Sequence, residues 1–142
     1  MKKTIFRIIA TVLVSCSVLL SFTSCGDGID RDEAKLFIES FFAEISAGNY
    51  KGAEARLHPD RNEDLEAFFT GIEAAKNVDF QSGITVESYT GFSYSWYNST
   101  VDGSTLKYTI DVKIGNASAV FDVEIVKNNN GYGIYYLNLI IK

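Results

Sequence analysis

The sequence predicts an α+β domain in which N-terminal helices pack on a curved antiparallel sheet, preceded by a signal peptide. Three observations predict this class. Apolar residues between residues 31 and 76 recur at helical spacing, whereas from residue 79 onward they alternate with a period of two. Turn-forming pairs, Asp102-Gly103 and Gly115-Asn116, interrupt the alternating half. A charged start followed by a long apolar run precedes both halves.

The helical half predicts three helices. Asp30 can cap the first helix, and Asp32 and Glu33 suit the positive end of its dipole. Pro59 stops the second helix, because a residue that precedes proline resists the helical conformation. The predicted helices span residues 31–47, 50–57 and 62–76.

The alternating half predicts strands over residues 80–89, 92–98, 105–114, 117–127 and 132–141. A three-residue loop at 101–103 would set Trp96 opposite Tyr108, and it places the apolar residues of both strands on one face. The two-residue loop Gly115-Asn116 sets Tyr108 opposite Val123 on the same face.

The register of the last strand stays open between two alternatives. A three-residue loop after Lys127 turns Tyr135, Leu137 and Leu139 toward the helices, and a four-residue loop turns Ile134, Tyr136 and Ile140 there. Either choice leaves apolar residues on the far face. Because a strand that is apolar on both sides is usually buried on both sides, we expect a partner subunit or another part of the chain to cover it.

The N-terminal 24 residues have the composition of a secretory signal peptide, with Lys2, Lys3 and Arg7 before an apolar run. Phe22-Thr23-Ser24-Cys25 resembles the lipobox of bacterial lipoproteins, which implies acylation of Cys25, for example with palmitate. Leu13-Val14-Ser15-Cys16 fits the consensus better, but cutting there would leave an apolar tail. An uncleaved membrane helix over residues 5–24 is the other alternative.

This interpretation divides the chain into a lipoprotein signal peptide (1–24), a short tether (25–31) and one domain (32–142). Removing the signal would change the net charge from −5 to −8. A negative charge of this size argues against binding to nucleic acid, and against binding to anionic lipid through basic residues. The mature domain would then have no free cysteine for a disulfide, a nucleophile or a zinc site. Attachment to the membrane would depend on acyl chains.

The order of elements resembles the NTF2-like (cystatin-like, cone-shaped) superfamily, and in particular its small bacterial lipoproteins of unknown function. The resemblance covers residues 32–141 and depends on Phe41-Phe42, on the break at Gly48-Asn49-Tyr50 and on the Leu57-His58-Pro59 end. It implies a cone of helices on a sheet. It also implies a homodimer formed through the outer sheet face.

Few residues in the domain indicate chemistry. His58, the single histidine, is interpreted as a helix-end residue, and no paired carboxylates converge on a pocket in the predicted register. We therefore expect no catalytic residue, no metal site and no cofactor. Tyr94, Trp96 and Tyr108 are the candidate ligand-binding residues, although ordinary core packing is the simpler interpretation.

The expected function is a membrane-anchored, non-catalytic binding or interaction lipoprotein of the bacterial cell envelope, held outside the cytoplasm by a lipid. The alternative is a domain that binds a small hydrophobic or aromatic molecule inside the cone, or an enzyme that uses this interior.

Overall fold

The computed structural model describes residues 28–98 and 101–142, apart from the side chains of residues 96–98 and 101. Over these residues the chain is an α+β domain, with helices packed on a curved four-stranded antiparallel sheet whose strands lie in chain order. The helices are α1 (Arg31–Ser46), α2 (Tyr50–Glu54) and α3 (Leu65–Lys76), followed by a 3₁₀ turn at Phe80–Ser82. The strands are β1 (Ile84–Asn98), β2 (Val101–Ile114), β3 (Ala117–Asn128) and β4 (Gly131–Ile141).

Helix α1 forms where predicted, because its first turn is capped and one of its faces is apolar. The Asp30 carboxylate accepts hydrogen bonds from the backbone N–H groups of Asp32 and Glu33, both at 2.9 Å, and these groups have no acceptor within the helix. The buried face consists of Ala34, Phe37, Ile38, Phe41, Phe42 and Ile45. Gly48, with φ of 70°, then redirects the chain into α2.

The prediction for the second helix is wrong at its C-terminal end, because the chain leaves the helix after Glu54 to join the sheet. The Ile134 N–H donates to the Arg56 carbonyl at 2.9 Å, and the Ile134 carbonyl accepts from the His58 N–H at 2.8 Å. Residues 56–58 therefore run parallel to the edge of β4. This pairing satisfies backbone groups that a longer helix would otherwise have satisfied.

Helix α3 begins at Leu65, three residues later than predicted. Asp64 determines this start, since its carboxylate accepts a hydrogen bond from the Ala67 N–H at 2.9 Å. The helix ends at Asn77, which adopts the left-handed conformation with φ of 53°.

The predicted pairing of β2 with β3 is confirmed in full. Tyr108 faces Val123, and the neighbouring pairs on that face continue as predicted. The Gly115-Asn116 turn connects the two strands without a register shift. The prediction succeeds here because this tight turn and the apolar alternation specify the same register.

Strand β1 is one long strand where the sequence predicts two. Its register against β2 shifts between Val86 and Ser88, between Tyr89 and Gly91, and between Ser95 and Tyr97. Each shift is a bulge or irregularity that interrupts the alternation of apolar residues. Gly91, which separates the two predicted strands, lies at one of these shifts.

The predicted register of the first hairpin is also wrong. The prediction sets Trp96 opposite Tyr108, whereas in the structure Phe92 faces Tyr108. The Asp102-Gly103 pair lies within β2 rather than in the turn. Gly103 has φ of 123°, and a Cβ there would collide with the carbonyl oxygen of Lys127 in β3. Glycine is required at this position because β3 passes close to the backbone there. The local sequence pattern does not reveal this close approach.

Strand β4 combines the two alternatives that the sequence left open, because its register shifts at a bulge beside Tyr135. Its inward residues are Ile134, Leu137 and Leu139, which face Ile125, Val123 and Phe121 respectively. Tyr136 and Ile140 lie on the outer face and are exposed.

The core lies between the helices and the inner face of the sheet and is rich in aromatic rings. Phe42 of α1 packs against Phe121 of β3 with ring centroids 4.7 Å apart. Phe69 of α3 is fully buried. Its ring contacts those of Phe41, Tyr50, Phe68 and Phe80 at centroid distances between 4.8 and 6.4 Å.

Candidate functional site

The predicted lipidation residue, Cys25, and the competing Cys16 lie outside the described residues, as does the whole predicted signal peptide. The described chain begins at Gly28, three residues after Cys25. The structure near the predicted anchor is therefore described from Gly28 onward.

The chain is fixed to the sheet from its first described residues. The Gly28 carbonyl accepts a hydrogen bond from Lys127 Nζ at 3.1 Å. Ile29 is 9 % exposed and belongs to the core, and Asp30 caps α1. Of the tether predicted over 25–31, residues 28–31 are thus attached to the domain.

Two of the three predicted ligand-binding residues lie beside this segment. Tyr108 is buried, and its hydroxyl donates a hydrogen bond to the Arg31 carbonyl at 3.0 Å. Tyr94 is partly buried, and a Cβ added at Gly28 would lie 3.4 Å from its hydroxyl oxygen. The backbone of Trp96 belongs to β1, and its side chain lies outside the described part. Tyr94 and Tyr108 therefore lie at the junction of β1 and β2 with the N-terminal segment.

Tyrosines along the inner face have raised pKa values. Burial, together with the nearby Glu39 carboxylate, raises the pKa of Tyr89 well above its ordinary 10.0, and the Tyr89 hydroxyl donates to Glu39 Oε1 at 3.2 Å. Burial and the Glu33 carboxylate likewise raise the pKa of Tyr132. These hydroxyls stay protonated in the folded protein at a pH where they would ionise in an unfolded chain.

Stability should consequently fall at high pH. A group whose pKa is raised by folding stabilises the fold fully below its unfolded pKa, here 10.0, and loses that contribution as the pH rises further. We expect the unfolding midpoint in urea to be constant from pH 8 to 9.5 and to decrease above about pH 10. Ultraviolet absorbance of tyrosinate, recorded with and without denaturant, checks this. Equal titration curves in both states would contradict it.

His58 is not the helix-end residue that the sequence predicts, because α2 ends at Glu54 and His58 lies in the segment that pairs with β4. It is fully buried, and its Nδ1 accepts a hydrogen bond from the Asp60 N–H at 3.1 Å. Its proton is therefore assigned to Nε2, which donates to Asn128 Oδ1 at 3.0 Å. The ring joins the segment before α3 to the turn between β3 and β4, and both of its nitrogens are occupied in this way.

Two carboxylates on the outer sheet face, those of Asp111 and Asp122, bond to neighbours on the same face. Lys142 Nζ lies 2.8 Å from Asp111 Oδ1, and this hydrogen bond lowers the pKa of Asp111. The Thr109 hydroxyl donates to Asp122 Oδ1 at 2.7 Å. Within residues 28–98 and 101–142, no group of three or more His, Cys, Asp and Glu side chains could hold a metal ion.

Lys127, which holds the N-terminal segment, is a residue that the sequence does not single out. Its bond to Gly28 joins residues that are 99 positions apart, so no local pattern could have indicated it. The apolar character of Ile29, in an otherwise polar stretch, is the one hint that the sequence offers. Among the helices of the described part, none combines the length and the apolar character that a membrane crossing requires.

Comparisons with known proteins identify no relative of the chain. No family model matches the chain, and neither the curated proteins nor the solved structures contain a significant match.

Proposed function

We propose that the protein is a lipid-anchored, non-catalytic binding lipoprotein on the extracytoplasmic side of the bacterial cell envelope. Residues 1–24 would act as its signal peptide, and Cys25 would carry the acyl chains. The observation that supports this most directly is the lipobox-like sequence ending at Cys25, followed within four residues by Ile29, which is buried in the domain. Cleavage before Cys25 would leave every described residue in place.

We further propose that the domain is a small member of the NTF2-like superfamily. The support is the order of three helices followed by a four-stranded antiparallel sheet, with the helices on one face. Helix α1 lies on the inner face, where its Phe42 ring packs on Phe121 of β3, as a cone-shaped arrangement requires.

A binding role is favoured over a catalytic one by how the polar groups are used. His58 is buried with both nitrogens bonded, and Tyr108 uses its hydroxyl to hold the start of α1. Asp111 and Asp122 bond to partners on the outer face. A general acid or base needs a proton-transferring atom that can reach a substrate, and these groups are committed to the fold.

Changing Cys25 to alanine should abolish lipidation. In the native host, fed with an alkyne-bearing fatty acid, we expect Cys25→Ala protein to lose the label and to keep its signal peptide. Cys16→Ala is the matched control and should be labelled and trimmed as the unchanged protein is. Mass spectrometry of the mature N-terminus reads the outcome directly. Loss of label in Cys16→Ala, or its retention in Cys25→Ala, would contradict the proposal.

The outer sheet face is the surface that we propose for binding a second copy of the chain. Tyr136 is 43 % and Ile140 54 % exposed there, and Ile140 pairs with Val120. Charges of both signs surround them, since Lys107 and Lys113 share the face with Asp122 and Glu124. A patch with both signs of charge can match itself across a two-fold axis, as a symmetric dimer requires.

A charge placed in this patch should therefore prevent association. For the chain lacking residues 1–25, we expect Ile140→Glu to be monomeric at concentrations where the unchanged chain is dimeric, because a carboxylate would be desolvated in the interface. Leu36→Glu is the control, since Leu36 on α1 is also more than half exposed, at 62 %, but lies away from the sheet. Sedimentation equilibrium measures the difference. An unchanged chain that stays monomeric throughout would exclude this interface.

A further inference from the structure

We propose that the open edge of β4 pairs antiparallel with the same edge of a second copy of the chain, so that the two sheets join into one. The interface consists of the backbone of residues 136–142 in each copy and does not depend on the lipid anchor. It is distinct from the outer-face contact proposed above, which uses side chains rather than backbone groups.

The backbone groups that β4 points outward follow from its pairing with β3. The Lys142 N–H donates to the Ser118 carbonyl at 2.9 Å, and the same register continues without a shift back to residue 136. In an antiparallel pair, residues that bond to the neighbouring strand alternate with residues that do not. The residues whose N–H and C=O groups point away from β3 are therefore Leu137, Leu139 and Ile141.

The outward groups of these three residues are open. Within residues 28–98 and 101–142, no backbone group bonds to them. The same edge is occupied further back, at Ile134, where residues 56–58 pair with it through two hydrogen bonds. The chain then turns at Pro59 and leaves the edge. Residues 56–58 show that this edge accepts an extended segment, and the remaining length of β4 has none.

Strand β4 lacks the features by which proteins protect such an edge. Proline, charged side chains and bulges are the usual means of blocking the addition of a strand. Residues 136–141 contain no proline, no glycine and no charged residue, and their register is regular. The other border of the sheet, β1, has three register shifts. Strand β4 is therefore the border suited to pairing with a further strand.

A second copy of β4 fits this edge because the open groups are self-complementary. A two-fold axis at Leu139 sets Leu139 opposite its own copy and Leu137 opposite Ile141 of the second copy. Each of the three resulting pairs exchanges two hydrogen bonds, so every outward N–H and C=O group is used. The paired stretch begins at Tyr136 and thus stays clear of the position at Ile134 that residues 56–58 occupy.

The side chains agree with this register. On the inner face, the leucine and isoleucine side chains of the three pairs are partly exposed in one copy, and pairing removes apolar surface from water. On the outer face, Ile140 lies opposite Asn138 of the second copy, and Lys142 lies opposite Tyr136. Lys142 is the single charged residue of the stretch, so no like charges meet, and a cation is attracted to an aromatic ring.

The pairing is closed, because a two-fold axis uses the same edge of both copies. Two four-stranded sheets become one sheet with both sets of helices on the same face. The borders that remain are the two β1 strands, whose irregular register disfavours further addition. The expected product is therefore a dimer and not a fibre.

Amide hydrogen exchange, resolved by residue with NMR, tests which groups the interface uses. The mature protein is purified from its native host into excess detergent micelles and measured at low and high protein concentration. We expect the amides of Leu137, Leu139 and Ile141 to exchange freely at low concentration and about tenfold or more slowly at high concentration. The Ile134 amide is the internal control, since it bonds to the Arg56 carbonyl within one chain and should not change.

A proline at the two-fold axis tests the interface independently. Leu139→Pro removes an N–H that β3 does not use, and proline is tolerated at such edge positions. Leu139→Ala is the matched control, because it also shortens the side chain but keeps the N–H. We expect the dissociation constant of Leu139→Pro to exceed that of Leu139→Ala by about tenfold or more. Sedimentation equilibrium in density-matched detergent measures both variants.

The outcomes separate this edge from the outer face. Ile140→Glu would weaken both contacts, since the two copies of residue 140 lie diagonally about 7–8 Å apart across the paired edge, whereas Leu139→Pro acts on the edge alone. Free exchange at Leu137, Leu139 and Ile141 in a sample that sediments as a dimer would overturn the edge pairing and leave the outer-face contact standing. A monomer at every concentration would overturn both.

Two further results would also overturn the edge pairing. Protection of the three amides at every concentration would mean that the edge is closed within one chain. Protection that is lost when a co-purifying protein is removed would assign the edge to a different partner. Slow exchange that appears with protein concentration, and that Leu139→Pro abolishes at Leu137 and Ile141 while Leu139→Ala does not, is the result that supports it.

Discussion

Replacing Gly133 with alanine is expected to destabilise the protein by about 3 kcal/mol or more. Gly133 lies in β4 where residues 56–58 run along the edge of the sheet. A Cβ there would lie 2.5 Å from the His58 N and 2.6 Å from the Leu57 carbonyl carbon. These are backbone atoms, so rotation of a side chain cannot relieve the contact. The segment must move away and break its bonds to Ile134.

Gly71→Ala provides the matched control for this prediction. Gly71 lies inside α3, is exposed, and would have no atom within 4 Å of an added Cβ. We expect a gain of about 0.5–1 kcal/mol, because alanine loses less backbone entropy than glycine in a helix. Urea unfolding followed by circular dichroism measures both variants. Equal midpoints for Gly133→Ala and the unchanged protein would show that residues 56–58 are not held against β4.

Truncating Phe69 is expected to cost about 4 kcal/mol. Its ring is fully buried and packs edge-on against Phe80 at 4.8 Å and against Phe68 at 5.1 Å. Helix α3, the 3₁₀ turn and α1 all contribute rings to this cluster, so Phe69→Ala leaves a cavity that no single neighbour can fill. A typical domain has a free energy of unfolding of about 5–15 kcal/mol. The loss would therefore be a large share of the total, and Phe69→Ala should unfold at a lower temperature than the unchanged protein.

Leu36→Ala is the comparison for Phe69→Ala, since it removes a large apolar side chain that is 62 % exposed. We expect a change within about 0.5 kcal/mol. Calorimetric melting temperatures of the two variants should therefore differ by several degrees or more. Similar melting temperatures would mean that the aromatic cluster contributes little to stability.

The parts of the fold that the sequence predicts correctly are those that local features determine. Asp30 and the apolar stripe of α1 predict the first helix, and the Gly115-Asn116 turn predicts the pairing of Tyr108 with Val123. In each case the determining residues lie within a few positions of the element that they define.

The errors arise where distant parts of the chain compete with local pattern. Gly103 predicts a turn, but β3 requires a residue without a Cβ there. The end of α2 depends on hydrogen bonds to Ile134, which is far away in sequence. The same limit applies to the candidate site: Cys25 could be proposed from its neighbours, whereas the bond from Lys127 to Gly28 required the structure.

Strand β1 forms one border of the sheet, and along its 15 residues the register against β2 shifts at three places. A long, regular border strand is a template onto which an identical molecule can add its own strand, and repeated addition produces insoluble fibrils. Bulges interrupt the evenly spaced hydrogen-bonding groups that such growth requires. Molecules concentrated in two dimensions on a membrane would meet frequently, and this border would then limit their polymerisation.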